Sequence, residues 1–135
     1  MSRENVEIVV GVFENTNARN FPAVMDAYAD DVVLALRFDL AIDAEGELVG
    51  KKAVGDWFGN WFRTFDADYH FEIDETRDWG DQVLMVATHH GRGRVSGVPV
   101  AQQGAWIYTL RDGKVVRCDA YRDRAQALEA VGLRE

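Results

Sequence analysis

Apolar residues recur at helical spacing near the start of the chain. Within residues 6–17 they fall every three or four positions, and Ser2 is a residue type preferred at a helix N-cap. Phe21-Pro22 then begins a second, short helix, because proline favours the first position of a helix and the pattern continues to Tyr28. Two helices are therefore predicted before the first strand.

A strand and a third helix follow in the apolar pattern. Residues 32–36 are β-branched or aliphatic and predict the first strand. Residues 39–50 have the polar and glycine positions of an irregular hairpin or loop that closes on Gly46. From about Lys52 to Phe65 a wide apolar stripe returns at helical spacing, which predicts a helix buried against a sheet.

The second half of the chain changes to a period of two, which is typical of strands. Tyr69, Phe71 and Ile73 alternate with polar residues. Further strands, separated by short glycine turns, are predicted at 82–95, 98–110 and 114–122. A last short helix begins at Asp123 and ends at Gly132. This order predicts an α+β domain in which a meandering antiparallel sheet wraps the helices.

The turns between the last strands predict which residues share a face of the sheet. A two-residue turn at Ser96-Gly97 gives the pairs Met85 with Tyr108, Ala87 with Trp106, and His89 with Gly104. A three-residue turn at 111–113, with Gly113 in the left-handed position, pairs Trp106 with Cys118. We prefer this turn because a two-residue turn would bury Arg117 and Asp119.

One face of the predicted sheet is mostly apolar. Its members are Val83, Met85, Ala87, His89, Val98, Val100, Gln102, Trp106, Tyr108, Val116, Cys118 and Ala120. Apolar walls with a few inward polar groups are typical of a small-molecule pocket. The same pattern also fits an ordinary core in which His89 is buried and hydrogen-bonded to Gln102 or to a hydroxyl. Both readings stay open here, whereas His90 is predicted to lie on the outer face.

Composition and charge narrow the classes of function. A chain of 135 residues fits a single domain spanning 1–135, and its net charge of -8 argues against a nucleic-acid partner. The sequence has no apolar run of membrane-spanning length and no N-terminal signal pattern, so we expect a cytoplasmic protein without a membrane partner. The single cysteine and the spacing of His70, His89 and His90 predict no disulfide, metal or cofactor.

Short strings spread along nearly the whole chain resemble one known family. They lie at 17–21, 28–33, 50–54, 91–98, 106–116 and 123–133. By these strings the chain is identified as a member of the SnoaL-like family, in the nuclear-transport-factor-like or ketosteroid-isomerase-like superfamily. The resemblance implies a cone-shaped α+β barrel with a ligand pocket in its mouth. In that fold a strongly curved mixed or antiparallel sheet wraps three helices from the N-terminal half, and a short C-terminal helix follows.

The resemblance also implies a homodimer formed through the outer face of the sheet. The residues predicted on that face are Leu84, Val86, Thr88, Ala101, Gln103, Ala105, Ile107 and Thr109. An apolar stripe on an otherwise solvent-exposed sheet calls for a partner surface. We therefore expect a second copy of the chain to cover it.

The catalytic residues of the superfamily do not carry over to this chain. Where ketosteroid isomerases place a general-base Asp, an oxyanion-hole Asp and a Tyr, this sequence has Leu36, Trp106 and Val12. Their chemistry needs a carboxylate base and two donors to the enolate oxygen, so it is not expected here. The acid/base Asp of SnoaL cyclases corresponds to Ala120, and the adjacent Asp119 is predicted to point outward.

His89 is the preferred candidate for chemistry, as an acid or base assisted by Gln102 or Tyr108. The other residues expected to line the pocket are Val12, Leu36, Phe38, Trp57, Trp61, Met85, Ala87, Gln102, Trp106, Tyr108, Cys118 and Ala120. Cys118 fits a small buried hydrophobe better than a nucleophile, and Arg37 and Asp39 are expected at the pocket mouth. The stretch 91–94 precedes no helix and is not a phosphate loop.

Two hypotheses about function follow. The first is a small-molecule-binding protein that acts as an isomerase, cyclase or hydrolase on an apolar ring-containing compound. The second is a non-enzymatic ligand-binding or dimeric interaction domain of the same fold. They differ in whether His89 takes part in turnover.

Overall fold

The computed structural model describes residues 2–37 and 46–132, and of Ser2 only the backbone. The N-cap predicted at Ser2, the pocket position Phe38 and the candidate Asp39 therefore lie outside the described part. The elements in chain order are α1 (Ser2–Asn17), α2 (Phe21–Asp26), β1 (Tyr28–Leu36), β2 (Glu47–Val49), α3 (Lys51–Arg63), β3 (His70–Asp78), β4 (Gln82–Arg92), β5 (Pro99–Arg111), β6 (Lys114–Tyr121) and α4 (Arg124–Ala130). This order confirms the predicted α+β class.

The six strands form one sheet in the order β2-β1-β6-β5-β4-β3. Strands β1 and β6 run parallel, and all other neighbours are antiparallel, so the sheet is mixed. Its inner face packs with α1, α2 and α3 around a core that includes Val9, Phe13 and Val54. The helices of the N-terminal half thus lie against one face of the sheet.

The prediction that α2 continues to Tyr28 is wrong. The helix ends at Asp26, and Ala27 caps it through its backbone N–H. Tyr28 instead begins β1, where it pairs with Val115 and is only 2% exposed. The aromatic side chain is accommodated better in the sheet, where it fills the core, than at the end of a six-residue helix.

The register predicted for β4 and β5 is wrong by two residues. Arg92 pairs with Pro99, and His89 therefore lies opposite Gln102 instead of Gly104. The tight turn does not form because Gly93 bridges to Phe65, and Arg94 donates its backbone N–H to Thr64 O at 2.8 Å. Since the shift is an even number, every side chain keeps its predicted face.

The turn between β5 and β6 also differs from the prediction. It has two central residues, Asp112 and Gly113, with φ of 53° and 77°, and Arg111 pairs with Lys114. A bulge between Thr109 and Leu110 in the pairing then shifts the register by one. Consequently Val115, and not Val116, is buried in the core. The bulge restores the parity of the strand, so Cys118 and Ala120 face inward as expected.

The C-terminal helix covers much of the outer face of the sheet. Leu84, Val86, Ala105 and Ile107 are at most 2% exposed and pack with Ala127 and Leu128 of α4. The helix begins at the predicted Asp123, whose side chain accepts a hydrogen bond from Gln126 N at 2.9 Å. The expectation that this apolar stripe is exposed in a single chain is therefore wrong, because helix α4 of the same chain packs on it.

Candidate ligand-binding site

A cavity of about 770 Å³ lies between the helices and the inner face of the sheet. This volume is within the range of pockets that hold drug-sized ligands. Helix α3 lines one side with Trp57 and Trp61, whose rings stack at 5.4 Å between centroids and an angle of 11°. Trp106 of β5 lines the sheet side and contacts Phe13 of α1 edge-to-face at 5.2 Å. The wall is thus largely aromatic.

Most of the residues predicted to line a pocket do line this cavity. They are Val12, Leu36, Trp57, Trp61, His89, Gln102, Trp106, Tyr108, Cys118 and Ala120. Met85 and Ala87 do not, and this part of the prediction is wrong. Both are fully buried in the core with Val9 and Phe13, because α1 packs directly across β4 at their level.

A chain of hydrogen bonds fixes His89 at the cavity wall. The indole Nε1–H of Trp61 donates to the hydroxyl of Tyr69 at 2.9 Å, and that hydroxyl lies 2.7 Å from Nδ1 of His89. An indole N–H can only donate, so the Tyr69 oxygen accepts from Trp61, and its own O–H is left to donate to Nδ1, the acceptor that lies within reach. From this network we assign the neutral His89 tautomer that carries its proton on Nε2.

The other nitrogen of His89 is open to a ligand. Nε2 has no hydrogen-bond partner among the described residues, although every buried side-chain nitrogen and oxygen there has one. Nε2 is therefore accessible, and His89 lines the cavity. The ring is held by Phe65, edge-on at 6.2 Å, and by Phe71, stacked at 6.2 Å. This arrangement presents a fixed N–H donor.

Burial lowers the pKa of His89, and the neighbouring His90 lowers it further. The neutral form is favoured in such an apolar setting because desolvation penalises the charged imidazolium. Burial likewise raises the pKa of Tyr69, so its hydroxyl stays protonated and continues to donate to His89. At neutral pH the site therefore holds two neutral groups in a defined order.

The hydrogen-bond partner of His89 is a hydroxyl, as one alternative allowed, but it belongs to neither of the two residues that we named. Gln102 lies opposite His89 in the ladder but is exposed, and Tyr108 lies six positions further along β5. Tyr69, which sequence reasoning did not single out, makes the contact instead. The sequence did contain a signal for Tyr69, because it alternates in phase with Phe71 and so shares its face. Both side chains lie in the aromatic cluster around His89.

A second polar group lies at the other end of the inner face. Tyr108, Tyr28 and Cys118 interact electrostatically, and all three line the cavity while being at most 4% exposed. Burial raises the pKa of each of them. Cys118 is thus held as a thiol and is not an activated nucleophile. Six residues of strand, about 20 Å, separate this group from His89.

Four positions that the sequence resemblance singled out lie at the cavity wall. Leu36, Trp106, Val12 and Ala120 all line the cavity. Asp119 does not line it, and its carboxylate binds Arg37 at 3.2 Å and Arg117 at 3.1 Å instead. Arg37 is therefore engaged with Asp119 and Glu47 and not with the cavity.

Charged residues line the cavity as well as the aromatic ones. They are Arg19, Arg63, Asp66, Arg94 and Arg122. Among the described residues, no three His, Cys, Asp or Glu side chains converge as a metal site would require. No helix in the described ranges is long and apolar enough to cross a membrane.

Solved structures of similar shape have low sequence identity to this chain. An NTF2-like protein of unknown function from Burkholderia pseudomallei superposes with a TM-score of 0.77 at 20% identity, covering 96% of this chain and 98% of its own. RV0760c from Mycobacterium tuberculosis, in complex with estradiol-17beta-hemisuccinate, gives 0.76 at 17%, covering 90% and 95%. A ketosteroid isomerase-like protein from Catenulispora acidiphila, in complex with trimethylamine, gives 0.73 at 19%, covering 95% and 94%.

These likenesses concern the fold, and they confirm the cone-shaped α+β architecture. A comparison of the sequence with curated proteins finds no match. The model of the SnoaL-like domain matches residues 9–118, which is most of the chain and runs from the second half of α1 into β6, with His89 included. The chain belongs to the SnoaL-like domain family.

Proposed function

We propose that this domain binds an apolar, ring-containing small molecule in the cavity, with His89 Nε2–H as a hydrogen-bond donor to it. The observation that carries the proposal is the aromatic cavity of about 770 Å³ with one accessible imidazole N–H in its wall. Flat aromatic side chains on both sides favour a flat or fused-ring ligand, which can stack on them. The donor favours a carbonyl or ether oxygen on that ligand.

The relatives support a small-molecule ligand without identifying it. The mycobacterial protein is in complex with a steroid hemisuccinate and the Catenulispora protein with trimethylamine. Both have less than 25% identity to this chain, so their ligands guide only the choice of test compounds. From the steroid complex we take the ring-containing body of the test compounds and not a specific substrate.

The protonation state of His89 favours binding over proton abstraction. A general base needs a free lone pair, but Nδ1 accepts from Tyr69 and Nε2 carries a proton. Isomerase, cyclase or hydrolase activity would require Tyr69 to turn its proton away and accept from Nδ1. The catalytic alternative therefore predicts that turnover depends on the Tyr69 hydroxyl as well as on His89.

Two test compounds separate the contribution of the donor from that of the cavity. 2-Acetylnaphthalene and 2-ethylnaphthalene share a fused ring and differ in one carbonyl, and isothermal titration calorimetry measures both. His89→Phe should weaken binding of the acetyl compound about two- to tenfold, the value of one neutral hydrogen bond, and leave the ethyl compound unchanged. His90→Phe, on the outer face, is the matched control and should change neither.

Failure of both compounds to bind would contradict the proposal. Turnover of bound carbonyl compounds is then screened with the same variants. Turnover that is lost in His89→Phe and in Tyr69→Phe supports the enzyme, whereas binding without turnover supports the non-enzymatic module.

We retain the homodimer and the cytoplasmic location as further proposals. With α4 covering the central stripe, the outer-face residues left for contact are more polar, Thr88, Ala101 and Gln103 among them. Multi-angle light scattering at micromolar concentration tests the dimer, and a monomeric mass would refute it. Cell fractionation with an antibody against the native protein tests the location.

A further inference from the structure

We propose that the ligand of this cavity carries an anionic group, such as a carboxylate or sulfonate, bound by Arg63 and Arg94 beside Arg19. This inference rests on the proposed ligand-binding function and adds the chemical class of the ligand. It predicts an amphiphilic molecule whose apolar rings lie among the tryptophans. The charged end would lie near the C-terminal end of α3.

The charge on the cavity wall is opposite to that of the chain. Four arginines and one acidic residue, Asp66, line the described cavity, although the whole chain has a net charge of -8. A cationic cleft in an acidic protein concentrates anions locally, because low-dielectric walls focus the field. The sequence did not indicate this, since the arginines come from separate parts of the chain.

These arginines are not neutralised by ion pairs. Within the described ranges, none of the four has a carboxylate partner within 4.0 Å. By contrast, arginines on the outer face hold carboxylates closely, as Arg117 holds Glu47 at 2.8 Å and Arg124 holds Glu75 at 2.7 Å. Arg117 and Arg124 are thus paired, whereas the described residues give the cavity arginines no carboxylate partner.

One short segment brings three of the cavity arginines to the same end. Residues 63–67 follow α3, and Thr64 O accepts from the backbone N–H of Arg94 at 2.8 Å. Ala67 O accepts from the Arg19 guanidinium, also at 2.8 Å. Arg63 belongs to this segment and bonds only to the neutral amide of Asn60. The segment therefore gathers Arg19, Arg63 and Arg94, with Asp66 as the one carboxylate among them.

Each arginine has a distinct part in this arrangement. Arg19 is fixed by backbone oxygens of Thr16, Ala67 and Tyr69, so it contributes charge from a set position. Arg63 and Arg94 are exposed and have donors free to form a bidentate pair with an anion. Arg19 binds the backbone of Tyr69, the residue that orients His89, so the cationic group and the His89 donor adjoin.

The test uses two dyes that share the same aromatic ring system. 8-Anilinonaphthalene-1-sulfonate and N-phenyl-1-naphthylamine differ only in the sulfonate, and both gain fluorescence on leaving water. Dissociation constants are measured for the full chain, for Arg63→Gln/Arg94→Gln and for Arg111→Gln. Arg111 is an exposed arginine of the β5–β6 turn that does not line the cavity, and it controls for the loss of a positive charge elsewhere on the surface.

We expect the double variant to weaken binding of the sulfonate dye about tenfold and to leave the neutral dye within about twofold. Arg111→Gln should change neither dye, and added salt should weaken only the sulfonate dye. Equal loss of both dyes, or no loss of either, in the double variant would overturn the inference.

A variant whose cavity is blocked distinguishes failure of this inference from failure of the proposed function. Gly55 lines the cavity, and a Cβ added there would meet only the flexible end of Met25 at 3.6 Å. Gly55→Phe should therefore fold and abolish binding of both dyes. If both dyes bind this variant as they bind the parent, the cavity is not the binding site and the proposed function fails with the inference. If Gly55→Phe abolishes binding of both dyes, but the double arginine variant binds the sulfonate dye as tightly as the parent does, only the inference fails.

Discussion

His89 and His90 are adjacent on β4, yet the two faces of the sheet give them opposite environments. On the inner face His89 lies among Phe65, Tyr69 and Phe71, and burial lowers its pKa. On the outer face His90 stacks on His70 at 5.2 Å and lies 3.1 Å from the Glu72 carboxylate. The same residue type is a neutral donor on one side and a partner of a charged carboxylate on the other.

The difference extends to the whole of each face. On the inner side, the sheet and helices leave a cavity whose arginines have no ion-pair partner among the described residues. On the outer side, α4 covers an apolar cluster, and its Arg124 pairs with Glu75. Close packing gives stability, and an open space lined with available donors gives binding. The outer face is therefore packed closely beneath α4, whereas on the inner face a cavity lies beside the main core.

We expect the largest effect on stability from shortening a leucine of the outer face, and a leucine of the inner face provides the comparison. Leu84 is fully buried beneath α4, and Leu84→Ala should lower the free energy of unfolding by about 2 to 5 kcal/mol through the cavity that it creates. Leu36 lines an existing cavity, so Leu36→Ala should cost clearly less. Urea unfolding at neutral pH measures both, and equal losses would remove the proposed difference between the faces.

Tyr69→Phe should have the next largest effect. It leaves the Trp61 indole N–H without an acceptor, at a cost of about 1 to 3 kcal/mol, and it removes the proton that fixes the His89 tautomer. Nitrogen-15 NMR of the imidazole should show protonated Nε2 in the parent and a mixture of tautomers in the variant. Tyr121→Phe is the control, and an unchanged tautomer in Tyr69→Phe would contradict the assignment.

The depressed pKa of His89 predicts a smaller, pH-dependent effect. Between its folded pKa and the ordinary value near 6.5, the unfolded chain binds more protons than the folded one. Stability should therefore rise as pH increases from about 5.5 to about 7.5. His89→Phe should flatten this slope in thermal unfolding, whereas His90→Phe should keep most of it because the burial of His89 remains.

The smallest effect concerns the ion pairs that hold α4. Glu75 binds Arg77 and Arg124, each at 2.7 Å, and hydrogen bonding from Arg124 lowers its pKa. These side chains are partly exposed, so Glu75→Gln should cost below about 1 kcal/mol and raise amide exchange in α4. The deficit should shrink at acidic pH, because protonation of Glu75 removes the same pairs in the parent. A deficit that grows on acidification would contradict this account.

The sequence predicted the faces of the strands better than their register. Side chains along a strand alternate between the two faces with a period of two. The register between β4 and β5 differs from the prediction by two residues, so His89 has a different partner but stays on the predicted face. The bulge near Val116 corrected a turn of the wrong length in the same way. The turn sequences themselves gave no sign that Gly93 would bridge to Phe65, a contact between distant segments.

Features assembled from distant segments could not be predicted. The Trp61–Tyr69–His89 chain joins α3, the loop before β3 and β4, and α4 covers strands more than fifteen residues before it. The cavity arginines likewise come together only in three dimensions. The apolar positions of the cavity wall were predictable because they repeat locally, whereas hydrogen-bond partners depend on how the elements pack.

The stacked pair of Trp57 and Trp61 also gives the protein an optical property. Two nearly parallel indoles 5.4 Å apart couple their excited states, so they should produce an exciton signal in circular dichroism. The signal depends on the distance and angle between the rings, and both rings line the cavity. A ligand that inserts beside them will change it, so occupancy can be followed without a label or a coloured compound.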